Sequence, residues 1–431
     1  MTDWIEHAIW WQVFPLGFVG AELEALPEGA PAEHRLPRLI GWLDYLIDLG
    51  ASGLALGPVF ASQAHGYETT DYYSIDTRLG TEQDLLRVID EAHERGIKVM
   101  LDGVFNHVGD QFPRFQQALA GDETSRRWFH LYPQDDGRVE YEHFEGHRQL
   151  VTLNHFEQLV VDFVVDVMCH WLDRGIDGWR LDAAYSVPIE FWSKVLPQVH
   201  ARHPHAYIVG EVIHGDYVSF VREGGMDAVT QYELWKAIWS SMNDANFHEL
   251  AWSLQRHDEF LDVFSPLTFI SNHDVTRIAS RLQDERHVGH ALAILMTVGG
   301  TPSIYYGDEQ AFRGLKEERY GGDDEIRPEF PDSPGELAAF GWPTYRLHQE
   351  IIGVRRRHPW LHRARVHTDN KSDQCLVYTA SAEGHWLKTA LSVSDAPVTL
   401  AVPGATKLLA GDATLNGEAV ELPAHGWAIV E

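Results

Sequence analysis

Cysteine is nearly absent from this sequence, which holds only Cys169 and Cys375. Two thiols make no disulfide framework, so the chain must hold its shape through a packed core, and a reducing cytoplasm is the expected setting. Long apolar runs are missing too: no stretch approaches the roughly 20 residues that cross a bilayer, which excludes a membrane-spanning protein. The segment from Met1 to Trp11 has no basic stretch, apolar core and small-residue cleavage site of a secretory signal. Positive charge is scarce, with 34 Lys and Arg against 64 Asp and Glu and a formal net charge of −30. A field of that sign repels phosphate backbones and anionic membrane surfaces, so nucleic acid and membrane are set aside as partners and a neutral small molecule is favoured. Internal repeats and low-complexity tracts are absent as well, which excludes a solenoid.

What the 431 residues do contain is a globular share of apolar side chains, 44%, and an aromatic share of 11%. Aromatic rings with a polar edge make good stacking surfaces for sugar faces, although most of them belong in a core. From Ile9 to about Arg357, short apolar runs alternate with amphipathic patterns, the rhythm of parallel strands joined by crossover helices. Strands are predicted at Ile9 to Phe14, Gly53 to Leu56, Ile97 to Leu101, Gly178 to Leu181, Tyr207 to Val209, Met226 to Val229, Leu267 to Ser271 and Ser303 to Tyr306. Between them, Leu36, Leu39, Ile40 and Leu43 fall on one helix face, as do Val160, Phe163, Val164, Val167 and Trp171. Another face comprises Trp192, Val195, Leu196 and Val199, and Thr81 with Asp84 has capping-box spacing ahead of Leu85, Val88, Ile89 and Ala92. Eight such units fit an α/β barrel or a doubly wound sheet.

The rhythm stops over residues 108–154, which are rich in charge, His and Gly and too long for an ordinary strand-to-helix loop. They are read as an inserted domain, flanked by barrel residues 1–107 and 155–360. Residues 361–431 change to short alternating segments, with a strand at Gln374 to Thr379 and a hairpin turn at Asn416-Gly417, the texture of an antiparallel β-sandwich.

Polar residues close four of the predicted strands: Asp102, Asn106 and His107 in DGVFNH, Arg180 and Asp182 in GWRLD, Glu211 in YIVGE, and His273 and Asp274 in FISNHD. A single carboxylate after a strand is a common helix N-cap. Four at corresponding positions converge on one rim of a barrel, where barrel active sites lie. Arg180 and Asp182 are two apart on a strand, so they leave the same face and can touch. That contact is expected to lower the carboxyl's pKa and keep Asp182 ionised as a nucleophile. The apolar approach to Glu211 is expected to do the reverse and leave it a proton to donate. Asp274, beside His273, is expected to bind hydroxyls and stabilise positive charge on a sugar ring.

In order and spacing these four segments resemble the four short conserved regions of the α-amylase family, glycoside hydrolase family 13. The resemblance covers nearly the whole chain and implies a (β/α)8 TIM barrel, a small domain inserted after strand 3 and a C-terminal antiparallel β-domain. It further implies that Asp182, Glu211 and Asp274 are the catalytic trio, that Arg180 orients the nucleophile, and that His107 and His273 bind the glucose on the non-reducing side of the scissile bond. Tyr67 in GYETTDYY matches the tyrosine that stacks under that glucose. GGDDEIR, residues 321–327, resembles the GxDPxxR motif of the cyclomaltodextrinase, neopullulanase and maltogenic amylase subgroup, making Asp323 and Arg327 ligands of a more distant glucose, with Asp324 in place of the proline.

The departures are informative. The family's calcium-binding His after the nucleophile is Ser186 here and Asn106 stands alone, so no calcium is expected; six to eight oxygen ligands have no compact source in the insert. The family's Lys three positions past the nucleophile is Tyr185, the subgroup's Trp-His after the acid is Ile213-His214, and its MPKLN is Leu150 to Asn154. The subgroup's β-domain ahead of the barrel is not expected here, because the sequence opens directly on its first strand. Although His occurs 25 times, there is no HExxH and no paired Cys/His spacing, so no metal or other cofactor is expected.

The expected activity is retaining hydrolysis of α-1,4 glucosidic bonds, with α-1,6 bonds as a second candidate linkage, in malto-oligosaccharides, cyclodextrins or small cyclic glucans, with some transfer to sugar acceptors. Rival expectations are a maltosyltransferase, trehalose synthase or exo-acting α-glucosidase of the same family, and a non-catalytic sugar-binding barrel, because a fold alone does not establish activity. The sequence leaves the oligomeric state open.

Overall fold

A computed structural model describes residues 3–27, 29–319 and 321–431. Met1 and Thr2, the first positions of the barrel segment read from the sequence, lie outside the described residues. Eight parallel strands form the central sheet: β1 (Trp10–Val13), β2 (Gly53–Leu56), β3 (Lys98–Val104), β4 (Gly178–Asp182), β5 (Tyr207–Gly210), β6 (Ala228–Val229), β7 (Leu267–Phe269) and β8 (Thr301–Tyr305). They lie in the order β6-β5-β4-β3-β2-β1-β8-β7. A parallel bridge from Thr230 to Leu267 joins the two ends and closes the ring. The alternation therefore folds as a (β/α)8 barrel and not as an open doubly wound sheet.

Every residue of β2, β4, β5 and β8 is buried, as strands covered on both faces must be. Gly53 has no alternative residue: a Cβ there would lie 2.4 Å from the Trp10 ring. The strand ends differ from expectation by a few residues. β3 runs on to Val104, while β7 stops at Phe269 and β1 spans only Trp10–Val13. Apolar runs mark burial, and burial continues past the last ladder hydrogen bond.

The helix over Glu82–Glu94 opens with the Thr81/Asp84 capping box and buries Leu85, Val88, Ile89 and Ala92. In the first unit, a 3-10 turn at Leu36–Trp42 leads into a helix at Leu43–Leu49, and Ile40 is half-buried. After β3, the strands His107–Gly109 and Leu150–Thr152 pair antiparallel and hold the base of the inserted segment. At the C-terminal end a five-stranded and a three-stranded antiparallel sheet enclose Val377, Ala390, Leu400, Val420 and Val430. The hairpin there is shifted by one residue from its expected place: Asn416 pairs with Ala419, so Gly417-Glu418 is the turn, with φ +59° at Gly417. Among the described residues no helix is long and apolar enough to cross a membrane.

Just past β8, Glu309 is fully buried and accepts hydrogen bonds from Tyr45 Oη at 2.9 Å and Gly307 N at 3.0 Å. Burial pushes its carboxyl up to about 7. A raised carboxyl adds stability that is complete below the unfolded value of 4.5 and is lost as pH climbs through about 7. Urea unfolding at pH 5 and pH 8 should show the wild type losing more stability than Glu309→Gln, by on the order of 3 kcal/mol. Equal losses in the two proteins would remove Glu309 from that role.

Candidate active site

The C-terminal ends of β3, β4, β5 and β7 bring four carboxyls around one guanidinium. Arg180 sits on β4 directly opposite Asp102 on β3, in register. Its Nη1 donates to Asp102 Oδ2 at 2.7 Å and to Asp182 Oδ1 at 3.0 Å. Its Nη2 lies 2.7 Å from Glu211 Oε1 and 3.6 Å from Asp274 Oδ2. Arg180, Asp182 and Glu211 are all at most 7% exposed, and Asp274 forms the open side with a side chain 27% exposed.

Around this cluster the other expected residues take distinct positions. Arg327, beyond β8, joins Asp274 (3.1 Å) to Asp323 (3.0 Å), so Asp324 in the proline position leaves that pair formed. Tyr67 Oη donates to Asp102 Oδ2 at 3.4 Å and hydrogen-bonds His273 Nε2, its ring parallel to the imidazole at 5.8 Å. His273 Nε2 is 3.0 Å from Asp274 Oδ2. His107 is not tied to the carboxyls: it stacks on Phe144 at 5.1 Å, and its Nε2 is buried without a hydrogen-bond partner. A buried ring nitrogen without a partner leaves a hydrogen bond to be made.

Some contributors carry no role in the sequence reading. Asp102 closes its strand in DGVFNH without an assigned role, which the register that sets it against Arg180 supplies. Tyr232 donates to Glu211 Oε1 at 3.0 Å and receives Asn272 Nδ2 at 2.8 Å; Asn272 lies within FISNHD, but nothing in the sequence marks Tyr232. Ala183 holds a left-handed backbone, φ 44°, and its N–H donates to Glu211 Oε2 at 3.0 Å. Such a conformation in a residue with a Cβ costs on the order of 1 kcal/mol and persists where the surroundings enforce it. Gln12 Nε2 lies 3.1 Å from His273 Nδ1, and Phe14 stacks on the same ring at 6.0 Å.

Two electrostatic expectations change. Arg180 touches Asp182 as foreseen, yet burial, together with Glu211, Asp102 and Asp274, pushes the Asp182 carboxyl well above its ordinary value against the pull of Arg180. Arg180 is shared by a crowd of like charges, which the two-residue spacing to Asp182 alone does not reveal. Nor is Glu211 met by an apolar surface, since its oxygens face Arg180, Tyr232 and the Ala183 N–H. Burial raises Asp102 to about 6. Burial also disfavours the charge on Asp274, but His273, Arg327 and Arg180 outweigh it and hold that carboxyl well below the usual range. Desolvation lowers His107 to about 4 and His273 to about 3, so both rings are neutral at pH 7.

Because one guanidinium balances the whole set, Arg180→Leu should destabilise the fold by about 3–5 kcal/mol at pH 7.5. Removing the cation raises the carboxyls further, so the variant should recover stability as pH falls and they protonate. Thermal unfolding at pH 7.5 and pH 4.5 checks both statements; a deficit that is the same at the two values contradicts the charge argument.

A closed barrel with ionisable residues gathered at the C-terminal ends of its strands presents them where barrel active sites are built. Residues 36–336 match the family described as "Alpha amylase, catalytic domain", and the chain belongs to that family. It is 33% identical to a cyclomaltodextrinase of Geobacillus thermopakistaniensis, over 84% of this chain and 64% of that one, so it spans slightly less than two thirds of that relative's length. With a maltogenic alpha-amylase of Bacillus acidopullulyticus it shares 30% identity over 100% of this chain and 78% of the other. Among solved structures it is similar to the cyclic alpha-maltosyl-(1→6)-maltose hydrolase from Arthrobacter globiformis, with a TM-score of 0.84 at 25% identity over 99% of each chain. The Nostoc punctiforme debranching enzyme gives 0.83 at 26% identity, over 100% of this chain and 99% of the other.

Proposed function

We propose that this protein is a retaining α-glucoside hydrolase that cleaves α-1,4 bonds of malto-oligosaccharides, cyclodextrins or small cyclic glucans by double displacement. The observation that carries the reading is Arg180 holding Asp182 and Glu211 on its two terminal nitrogens, at 3.0 and 2.7 Å. One guanidinium spanning both carboxyls keeps them close, which suits the separation of about 5–5.5 Å in retaining pairs. Double displacement requires Glu211 protonated and Asp182 ionised when substrate is bound, and Arg180 lies against the carboxylate that attacks. Asp182 attacks the anomeric carbon as Glu211 protonates the departing glycosidic oxygen; Glu211 then takes a proton from the water that releases the glycosyl-enzyme.

Asp274, kept ionised by its neighbours, stabilises the positive charge that develops on the ring. Tyr67 and neutral His107 and His273 line the side that receives the non-reducing glucose, and Asp323 with Arg327 reaches the next. The step requires no metal in this reading, because Arg180 and Arg327 supply the positive charge among the carboxyls. On the leaving-group side, Tyr185 donates to Glu145 Oε1 at 3.0 Å and meets His214 edge-on at 5.1 Å. That pairing links the inserted segment to the rim where a lysine is usual.

The match over 99% of each chain to a hydrolase named for cyclic α-maltosyl-(1→6)-maltose favours a small cyclic glucan as substrate. Mass spectrometry of digests of maltoheptaose, β-cyclodextrin, pullulan and that cyclic tetrasaccharide tests the proposal. Release of maltose or glucose from at least one supports hydrolysis, and transfer products alone would point to a transferase. No turnover of any of them, with maltose still bound, would make the protein a sugar-binding barrel.

A further inference from the structure

The geometry points to a zinc-class divalent cation site formed by Asp284, His287 and His425, which ties the C-terminal β-domain to the barrel, with Asp395 orienting His425. Asp284 caps, and His287 ends, the 3-10 turn Glu285–His287 that leads into the helix Val288–Thr297 before β8. His425 precedes the strand Trp427–Val430, and Asp395 follows the strand His385–Ser392, both in the C-terminal domain. One potential ligand atom from each of Asp284, His287 and His425 lies within 4.8 Å of the others. His287 Nε2 is 2.9 Å from His425 Nδ1, which is 3.8 Å from Asp284 Oδ2. A cation with bonds of about 2.0–2.1 Å in tetrahedral geometry sets its ligand atoms roughly 3.3 Å apart, between those two distances. Closing the site moves the two imidazoles slightly apart and draws Asp284 inward, within a cluster whose ligand atoms already lie within 4.8 Å of one another.

The chemistry of the donors is more specific than their proximity. His425 Nε2 lies 2.8 Å from Asp395 Oδ1. An ionised carboxylate only accepts, so that nitrogen carries the proton and Nδ1 presents a lone pair toward His287. This is the carboxylate–histidine arrangement that orients metal-binding imidazoles. His287 is 4% exposed and its Nδ1 has no partner, so its one polar contact is the nitrogen facing His425. Arg286 hydrogen-bonds both oxygens of Asp284 and fixes the orientation of the carboxylate. His425 holds a left-handed backbone, φ 54°, a conformation retained in a non-glycine residue where other contacts impose it. Two imidazoles and one carboxylate suit zinc over calcium or magnesium, and the partly exposed side of Asp284 leaves the fourth position to water. The ligands are spread over residues 284–425, so no sequence spacing could show them.

The test uses the full chain stripped with chelator and titrated with zinc sulfate, and separately with cobalt chloride. Expected results are one cobalt per chain with the visible absorption of a tetrahedral complex, and a zinc-dependent rise in Tm of at least about 2 °C. His287→Asn and His425→Asn should abolish both. Asp395→Asn, on a side chain 98% exposed, should fold normally and weaken zinc binding by about 10–100-fold. Absence of a zinc-dependent shift in the wild type would overturn the assignment and leave a histidine–histidine hydrogen bond. So would an equal shift with calcium, or wild-type zinc affinity in Asp395→Asn should the histidine variants not fold.

Discussion

Asp182→Asn is expected to lower kcat on maltoheptaose by about 10⁴-fold or more while leaving the protein as stable as before, or more so. The amide keeps the shape of the side chain and an oxygen for Arg180 Nη1, now 3.0 Å from Asp182 Oδ1. What disappears is the oxygen that attacks the anomeric carbon. Stability should not suffer, because burial and three neighbouring carboxyls already disfavour the charge at this position. An ordinary core substitution shows the opposite pattern, losing stability first and activity with it. Steady-state kinetics and thermal unfolding at pH 7.5 decide the matter together. A rate within tenfold of wild type removes Asp182 as nucleophile; a large fall in Tm shows that its charge was contributing to the fold.

The barrel could be read from sequence because its signal is local. Buried parallel strands are continuous apolar runs, and the covering helices repeat their apolar residues at helical spacing; both follow from burial alone. The candidate site was legible for a related reason: a residue at the C-terminal end of a barrel strand has nowhere to go but the rim. Asp182, Glu211, Asp274 and Arg180 meet there. The charge balance escaped, since it depends on how many carboxyls share Arg180, and Asp102 enters that count only through the pairing of β3 with β4. Tyr232 and Ala183 were invisible for a different reason. A tyrosine after a two-residue strand and an alanine in a left-handed turn carry no pattern, and their hydrogen bonds to Glu211 arise from tertiary placement. The order of the eight strands likewise required the closing contact between Thr230 and Leu267 to choose between barrel and open sheet.

Glu211→Gln should separate proton donation from everything else the site does. On maltoheptaose the variant is expected to lose about 10²–10⁴-fold in kcat, the usual contribution of a positioned general acid. On α-maltosyl fluoride, whose leaving group departs as an anion and takes no proton, formation of the glycosyl-enzyme on Asp182 should be affected far less. The second half of the cycle still needs Glu211 as the base that deprotonates water, so fluoride should appear in a burst and the covalent intermediate should accumulate to a mass visible in the intact protein. Azide, which attacks without losing a proton, should then restore turnover and give α-maltosyl azide with the configuration kept. Gln can still accept from Tyr232 Oη or Ala183 N, each 3.0 Å from Glu211, but its amide N–H then faces Ala183 N or Arg180 Nη2, so a modest fall in Tm is expected beside the kinetic effect. If maltoheptaose and the fluoride slow by the same factor and azide changes nothing, Glu211 is not the acid/base. The proton would then have to come from Asp102, whose carboxyl burial raises to about 6 and which Arg180 reaches at 2.7 Å.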